Sequence, residues 1–337
     1  MISKSQKRSI GQRVADLKSR RPHRSFQLTR RRDYRRQLEL PGYFAFLFEV
    51  ATLLRRHWRL FGLLVISYVV FGILLGTMTS QDTYNAMSGT VRSVSDGIIG
   101  DSGIGAVLQA GAISFTTFIS GNKLTDIQKV YMSLVFLFTW LTTVWLLREI
   151  VAGREPRLRD GIYNAGAPII PTILVMLWML VQLLPIVLLM IIYGGLVNAG
   201  LMTNGFGTFS FAMLFVLVIS LVLYWLTSTF IATVAVTLPG MYPSVAIRAA
   251  GDIVVGRRLR ILFRILWMLV SIAIVWLAVM ILIVMFDTWL ADRIDWVAAV
   301  PWVPILATLL SGAMIVYACS YIYLLYRKVV ADGSNPA

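Results

Sequence analysis

The sequence predicts an all-α membrane protein, a polytopic bundle of six transmembrane helices. Of the 337 residues, 58% are hydrophobic and only 14% are charged, whereas soluble domains carry about 25% charged residues. From Gly161 through Ile247, 87 consecutive residues include no Asp, Glu, Lys or Arg. A soluble core of that length does not lack charge so completely, so we expect the apolar surface to contact lipid.

Six stretches are apolar and long enough to cross a bilayer. A helix rises about 1.5 Å per residue, so about 20 mostly apolar residues cover the hydrocarbon core. Each stretch is free of formal charge, as the free-energy cost of a charge at the bilayer centre requires. The predicted spans are approximately residues 60–78, 130–147, 169–197, 209–238, 265–286 and 297–326.

The distribution of Lys and Arg predicts the orientation of these spans. With six crossings, the N-terminal tail, the loop at 148–159, the segment 248–264 and the C-terminal Arg327-Lys328, with the tail 331–337 after them, share one side. That side holds 27 of the 31 Lys and Arg, and when residues 1–59 are left out the count is still 11 against four on the other side. The positive-inside rule makes this side cytoplasmic, so we expect both termini in the cytoplasm.

A seventh uncharged segment, residues 104–121, is less hydrophobic than the six spans because it contains several glycine, serine and threonine residues. If it crossed the membrane, the basic tail and the Arg154–Arg159 loop would lie on opposite sides. The charge distribution therefore favours a re-entrant or interfacial segment within an outer loop at 79–129.

Residues 1–40 form a basic tail that we expect to be disordered. Residues 1–59 hold 16 Lys and Arg against four acids, and residues 1–40 are too polar and too like-charged to build a core. Each basic residue near anionic headgroups contributes about 1 kcal/mol, so we favour lipid over nucleic acid as partner. The candidate anionic-lipid contacts are Arg20, Arg21, Arg24, Arg30, Arg31, Arg32, Arg35, Arg36, Arg55, Arg56, Arg59, Arg257, Arg258 and Arg260.

Two short amphipathic helices are predicted at the cytoplasmic interface. Residues 41–59 are rich in aromatic and aliphatic side chains and end in arginines around Trp58, which is typical of an interfacial helix. In the 240–258 segment, the pattern directs one set of residues to water, namely Arg248, Asp252 and Arg257. The opposite set is expected to face lipid and consists of Val245, Ile247, Ile253 and Val254.

Polar residues inside two spans form a candidate intramembrane site. Gln182 lies three residues before Pro185, where a proline kink frees backbone carbonyls, and transporters build sites at broken helices. A hydroxyl stripe on the fourth span is the second half of the site. Packing between helices is the favoured alternative, because hydroxyls bond their own helix and a lone Gln bonds a neighbour. The candidate residues are Gln182, Pro185, Ser220, Tyr224, Thr227 and Ser228.

Gly72 and Gly76 form a GxxxG pair in the first span. Such a pair lets another helix approach closely. Packing within the chain and formation of a homo- or hetero-oligomer remain equal alternatives.

The sequence provides no catalytic, cofactor-binding or metal site. It has one cysteine, Cys319, and two histidines, His23 and His57, so neither an intrachain disulfide nor a Cys/His zinc site can form. All 16 acids lie outside the predicted spans, and none of the common catalytic motifs occurs. We therefore expect no enzymatic activity, and we interpret the acids at the cytoplasmic boundary as members of solvated ion pairs.

One cytoplasmic segment resembles a known family. It reads Pro243-Ser-Val-Ala-Ile-Arg-Ala-Ala-Gly-Asp-Ile-Val-Val-Gly-Arg-Arg-Leu-Arg260, and it is similar to a loop-helix of bacterial multi-spanning proteins related to the glycerophosphoryl diester phosphodiesterase membrane domain and the YciC-like family. Ala246 and the Gly256–Arg260 turn match, whereas Ala250 stands where the family has serine. The resemblance covers about residues 130–330 and implies a bacterial inner-membrane protein without an assigned activity.

These observations lead to two main functional hypotheses, and a membrane enzyme active at the bilayer surface is a third that ranks last. The first is a non-enzymatic membrane scaffold or interaction protein with a basic, lipid-contacting tail. The alternative is a permease-like or lipid-handling transporter with a polar site at mid-membrane around Gln182.

Overall fold

The computed structural model describes residues 40–76, 126–200, 205–291, 293 and 302–334. Within these ranges the chain forms nine helices and no strand. Six of the helices are long and apolar enough to cross a membrane. The predicted fold class, an all-α polytopic bundle, is therefore confirmed.

The helices follow one another with short connections wherever the chain is described. In chain order they are α1 (Tyr43–Arg56), α2 (Trp58–Gly76), α3 (Asp126–Val151), α4 (Leu158–Ala165), α5 (Ile169–Asn198), α6 (Gly205–Ala235), α7 (Pro243–Val254), α8 (Arg258–Ala291) and α9 (Trp302–Ser334). The six candidate spans are α2, α3, α5, α6, α8 and α9.

Contacts between distant residues bring many helix ends together at one end of the bundle. Lys328 Nζ lies 2.8 Å from Glu49 Oε2, which joins the last turns of α9 to α1. Arg148 Nη1 donates to the carbonyl oxygen of Thr237 at 3.4 Å, which joins α3 to the end of α6. We call this the basic end, formed by residues 40–60, 145–172, 233–264 and 320–334.

The main hydrophobic core lies towards the basic end. It includes fully buried residues of α1, α3, α6, α7, α8 and α9. The ring of Phe46 in α1 meets the ring of Tyr321 in α9 edge to face, with centroids 4.6 Å apart. Towards the opposite end a smaller cluster joins α8 to α9 through Trp276, Met280, Val303 and Ala307.

The α5–α6 hairpin is far less covered than the rest. Between Trp178 and Leu221 most of its large apolar side chains are exposed. The two helices contact each other there, as the rings of Tyr193 and Phe211 show with centroids 4.9 Å apart. An exposed apolar surface of this extent requires lipid.

Several helices extend beyond the predicted spans. α8 begins at Arg258 rather than at residue 265, α3 begins at Asp126 inside the predicted outer loop, and α9 continues to Ser334 into the predicted C-terminal tail. Hydropathy marks only the apolar part of a helix, whereas backbone hydrogen bonding continues into the charged turns beyond it.

The N-terminal interfacial segment predicted at 41–59 forms α1 and the start of α2, with a break at His57. Its outward residues Phe44 and Phe48 are exposed, as an interfacial helix requires. Its other side packs on protein rather than on lipid, because Phe46 and Val50 are fully buried.

The amphipathic helix predicted at 240–258 is α7, followed by a turn at Gly256 with φ +79°. Arg248 and Asp252 are exposed, as expected. The expectation that Val254 faces lipid is wrong. It is fully buried in the protein core, because α7 packs along α6.

Three predicted features lie outside the described residues. They are the disordered tail up to residue 39, the outer loop from 79 to 125 with its segment 104–121, and the last three residues 335–337.

Candidate functional site

Gln182 of α5 is bonded to the neighbouring helix. Its Oε1 accepts a hydrogen bond from Thr229 Oγ1 of α6 at 2.9 Å, and Thr229 is only 1% exposed. The partner of Gln182 is therefore a residue outside the predicted set. This contact is an interhelical link of the kind that stabilises packed transmembrane helices.

Pro185 lies inside α5, which continues without interruption from Ile169 to Asn198. The broken helix considered from the sequence is therefore absent from α5. A site of the kind transporters build needs unwound backbone beside a cavity, and α5 does not provide it at Pro185.

The hydroxyl groups of the predicted stripe bond their own helix. Ser220, Thr227 and Ser228 donate to the carbonyl oxygens of Val216, Leu223 and Trp225 at 2.8, 2.8 and 2.9 Å. The residues of the stripe also differ in exposure, because Ser220 is exposed and Thr227 is buried. These hydroxyls consequently behave as helix-satisfied groups, as the packing alternative predicts.

Tyr224, the remaining stripe residue, contacts an arginine. The guanidinium carbon of Arg258 lies 4.6 Å from the centroid of its ring, within the range of a cation–π interaction. Arg258, a predicted lipid contact, is half-buried and therefore partly held by the protein.

Gly72 is buried between helices of the same chain. A Cβ placed on it would lie 3.6 Å from Thr308 Cγ2 of α9 and 3.8 Å from Met132 Cε of α3. Gly72 thus lies in an intramolecular interface. Gly76 is the last residue of α2.

The predicted lipid-contacting arginines separate into three groups. Arg55, Arg56, Arg59 and Arg260 are exposed at the basic end. Those of the tail, from Arg20 to Arg36, lie outside the described residues. The third group is Arg257 and Arg258, of which Arg258 is half-buried and Arg257 corrects the prediction.

Arg257 does not lie at the wet surface, because it is only 2% exposed. The turn at Gly256 directs the chain so that Arg257 Nη1 donates to the carbonyl oxygen of Val329 in α9 at 3.4 Å. Arg257 therefore links the turn between α7 and α8 to α9.

The structure adds a cavity that the sequence did not predict. It lies at the basic end between α3, the α4–α5 turn and the α6–α7 loop, with a volume of about 420 Å³. Leu141, Ala165 and Val236 are buried in its wall. Asn164, Ala167 and Tyr242 are exposed at its rim. We call it the arginine cavity, because Arg148 is the one charged residue in its lining.

Arg148 is held by two contacts on its side of the cavity. Its Nη1 donates to Thr237 O at 3.4 Å, and its Nε lies 4.0 Å from Glu149 Oε1. Glu149 lies closer to Arg154 than to Arg148, because its Oε2 is 2.7 Å from Nη1 of Arg154. The carboxylate is therefore mainly engaged with Arg154.

Sequence reasoning missed the cavity because three separate segments form it. One local signal existed: Pro168 and Pro171 at the start of a span and Leu238-Pro-Gly240 after another predict turns near the same interface. That signal does not specify that the two turns face each other across Arg148.

The described residues offer neither a metal site nor an exposed thiol. No group of three or more His, Cys, Asp or Glu able to hold a metal ion occurs there. Cys319 is a free, buried thiol.

Comparison with protein-family models, with curated proteins and with solved structures yields no match. The resemblance of residues 243–260 to the phosphodiesterase membrane-domain and YciC-like proteins therefore remains a prediction.

Proposed function

We propose that this integral membrane protein is a non-enzymatic scaffold or interaction protein of a bacterial inner membrane. Its basic end and both termini face the cytoplasm, where exposed arginines bind anionic lipid headgroups or an anionic protein partner. The basic tail takes part in the same contact.

The observation that carries this proposal is the exposed positive charge at the basic end. The side chains of Arg154 and Arg159 are 72% and 90% exposed. Each such residue near an anionic surface contributes about 1 kcal/mol, so a group of them gives strong binding together. The exposed arginines of this end are Arg55, Arg56, Arg59, Arg154, Arg157, Arg159, Arg248, Arg260 and Arg327.

The intramembrane contacts favour this function over the permease-like or lipid-handling alternative. A transport site at Gln182 needs polar groups available to a substrate. The Gln182 carbonyl already accepts from Thr229, and the hydroxyls of Ser220, Thr227 and Ser228 already donate to their own helix.

The acids at the basic end also support a role without catalysis. Glu49 pairs with Lys328, and Glu149 pairs with Arg154. A general acid or base needs a carboxyl group placed to exchange a proton with a substrate, and a surface ion pair is the simpler use of these groups.

Orientation is tested by thiol labelling, since the only cysteine, Cys319, is buried and gives little background. Arg159→Cys and Arg327→Cys place thiols at the basic end, and Asp126→Cys places one at the opposite end. In intact cells an impermeant maleimide should label only Asp126→Cys. Labelling of Arg159→Cys would place the basic end outside.

Lipid binding is tested with the full chain in nanodiscs that contain both anionic and neutral lipid. We expect anionic lipid to be enriched around the protein at low salt, and less so at 1 M salt, because the Debye length falls to about 3 Å. The triple variant Arg55→Gln, Arg56→Gln, Arg59→Gln should lower the enrichment. Equal enrichment of neutral lipid at both salt concentrations would contradict the proposal.

A further inference from the structure

The arginine cavity combines a size and a charge that are typical of a ligand site. Its volume of about 420 Å³ lies within the range of about 300–1,000 Å³ for small-molecule pockets. Its lining contains Arg148 as its one charged side chain and no acid. The charge of the lining side chains therefore favours an anion.

The remaining lining is mostly apolar. Its walls include the side chains of Leu141, Trp145, Leu238 and Met241. Covering these walls is favourable when the ligand brings an apolar group into contact with them. An inorganic anion alone would leave these walls without a partner. The preferred ligand therefore has both a charged head and an apolar body.

The position of the cavity agrees with such a ligand. It lies where α3 and α6 end and where α5 begins, so it is at the boundary between the apolar spans and the charged basic end. A lipid or fatty acid has its own boundary between head and chain at the same depth.

We propose that the arginine cavity binds one anionic amphiphile, with a phosphate or carboxylate on Arg148 and the apolar body against Leu141 and Trp145. This inference deepens the proposed function, since it assigns one stoichiometric site in addition to the diffuse contact with exposed arginines.

The guanidinium of Arg148 is suited to this contact. Its bond to Thr237 O is long, at 3.4 Å, and its approach to Glu149 is longer, at 4.0 Å. Arginine has five N–H donors in a planar fork that matches the oxygens of phosphate and carboxylate. These two contacts therefore orient the guanidinium and leave donors for a ligand, consistent with its 31% exposure.

The experiment measures lipid retained by the purified full chain, by native mass spectrometry, with three probes. The probes are an anionic phospholipid, a zwitterionic phospholipid with the same chains, and inorganic phosphate. Two variants alter the site: Arg148→Gln removes the charge, and Ala167→Trp fills the exposed rim with little effect on the core. Arg159→Gln, at a side chain 90% exposed, is the matched charge control.

We expect wild-type protein and Arg159→Gln to retain one anionic phospholipid in preference to the zwitterionic one. Arg148→Gln should weaken retention at least about tenfold, because a hydrogen bond to a charged group contributes that factor or more. Ala167→Trp should also weaken retention, because the indole ring occupies space that the lipid needs. Inorganic phosphate should compete only weakly.

Several outcomes would overturn the inference. Unchanged retention in Ala167→Trp would show that the lipid binds elsewhere, even if Arg148→Gln failed to fold. Equal retention of the zwitterionic lipid would refute the role of the anion, and phosphate binding as tight as lipid binding would refute the role of the apolar body. The surface triple variant at Arg55, Arg56 and Arg59 tests the proposed function separately, because it should leave the single retained lipid in place.

Discussion

Arg264 of α8 donates a hydrogen bond from Nη2 to the carbonyl oxygen of Pro41, 2.6 Å away and 223 residues earlier in the chain. The same guanidinium lies 4.9 Å from the ring centroid of Tyr43, and Arg264 is only 7% exposed. A buried arginine thus fixes the point at which α1 begins.

The first prediction concerns this contact. Replacing Arg264 with Met keeps an unbranched, flexible side chain but removes the donor, so α1 should detach more readily from α8. A hydrogen bond from a charged donor contributes about 2 kcal/mol, and we expect hydrogen exchange in residues 43–50 to become about 30-fold faster. Arg260→Met, at an exposed arginine of the same helix, is the control. Equal exchange in both variants would show that Arg264 does not hold α1.

The second prediction concerns Gln182 and Thr229. Gln182→Leu and Thr229→Val each remove one partner of the interhelical hydrogen bond. A double-mutant cycle, read from unfolding in SDS, should give a coupling free energy of about 0.6 kcal/mol, typical of such bonds in membranes. As a control, Ser220→Ala combined with Gln182→Leu should be additive, because Ser220 bonds its own helix. A zero coupling between Gln182 and Thr229 would remove the evidence for a packing role.

The third prediction concerns Gly312 of α9, which meets Tyr68 of α2. A Cβ at Gly312 would lie 2.7 Å from Tyr68 Cδ1, too close for an unperturbed ring. Gly312→Ala should therefore lower the stability of the folded state by about 1–3 kcal/mol, the usual cost of overpacking. Thermal unfolding of the purified protein measures the change.

Two glycines of α2, Gly62 and Gly72, are the controls for Gly312 of α9. Gly62→Ala meets nothing within 4 Å and should raise stability by up to about 1 kcal/mol through helix propensity. Gly72→Ala makes only ordinary contacts of 3.6 and 3.8 Å and should be tolerated. If all three alanines had the same effect, close packing of α2 on α9 would be refuted.

The fourth prediction concerns the turn between α7 and α8. Gly256 has φ +79°, a conformation that costs an L-residue about 1–2 kcal/mol. Gly256→Ala should lower the unfolding temperature, whereas Gly256→Asn should lower it less, because asparagine tolerates this conformation better. Equal effects of the two substitutions would argue against backbone strain as the cause.

The sequence predicted the fold class well because the bilayer imposes a simple rule. An apolar, uncharged stretch of about 20 residues has few alternatives to a membrane-spanning helix, so α5 and α6 were recognisable from Gly161–Ile247 alone. The helix ends were predicted less well, because charged turns such as Arg258–Arg264 continue a helix without contributing to hydropathy.

The contacts between helices were beyond the sequence. Nothing local to Arg257 indicates that it is buried against Val329, since Arg258 beside it is only half-buried and Arg260 is exposed. Likewise the partner of Gln182 lies 47 residues away. Such pairs depend on the angle and position at which two helices cross. A single sequence shows composition and hydrophobic periodicity, but it does not show how the helices cross.

The unequal covering of the bundle has a mechanical consequence. Around Phe46 and Tyr321 the helices are held together by side-chain packing within the protein. The far half of the α5–α6 hairpin exposes most of its large apolar side chains, which in a bilayer contact mainly acyl chains. A thicker or thinner bilayer changes the tilt of such helices at a modest cost in free energy. We therefore expect bilayer thickness to act on the hairpin more than on the basic end.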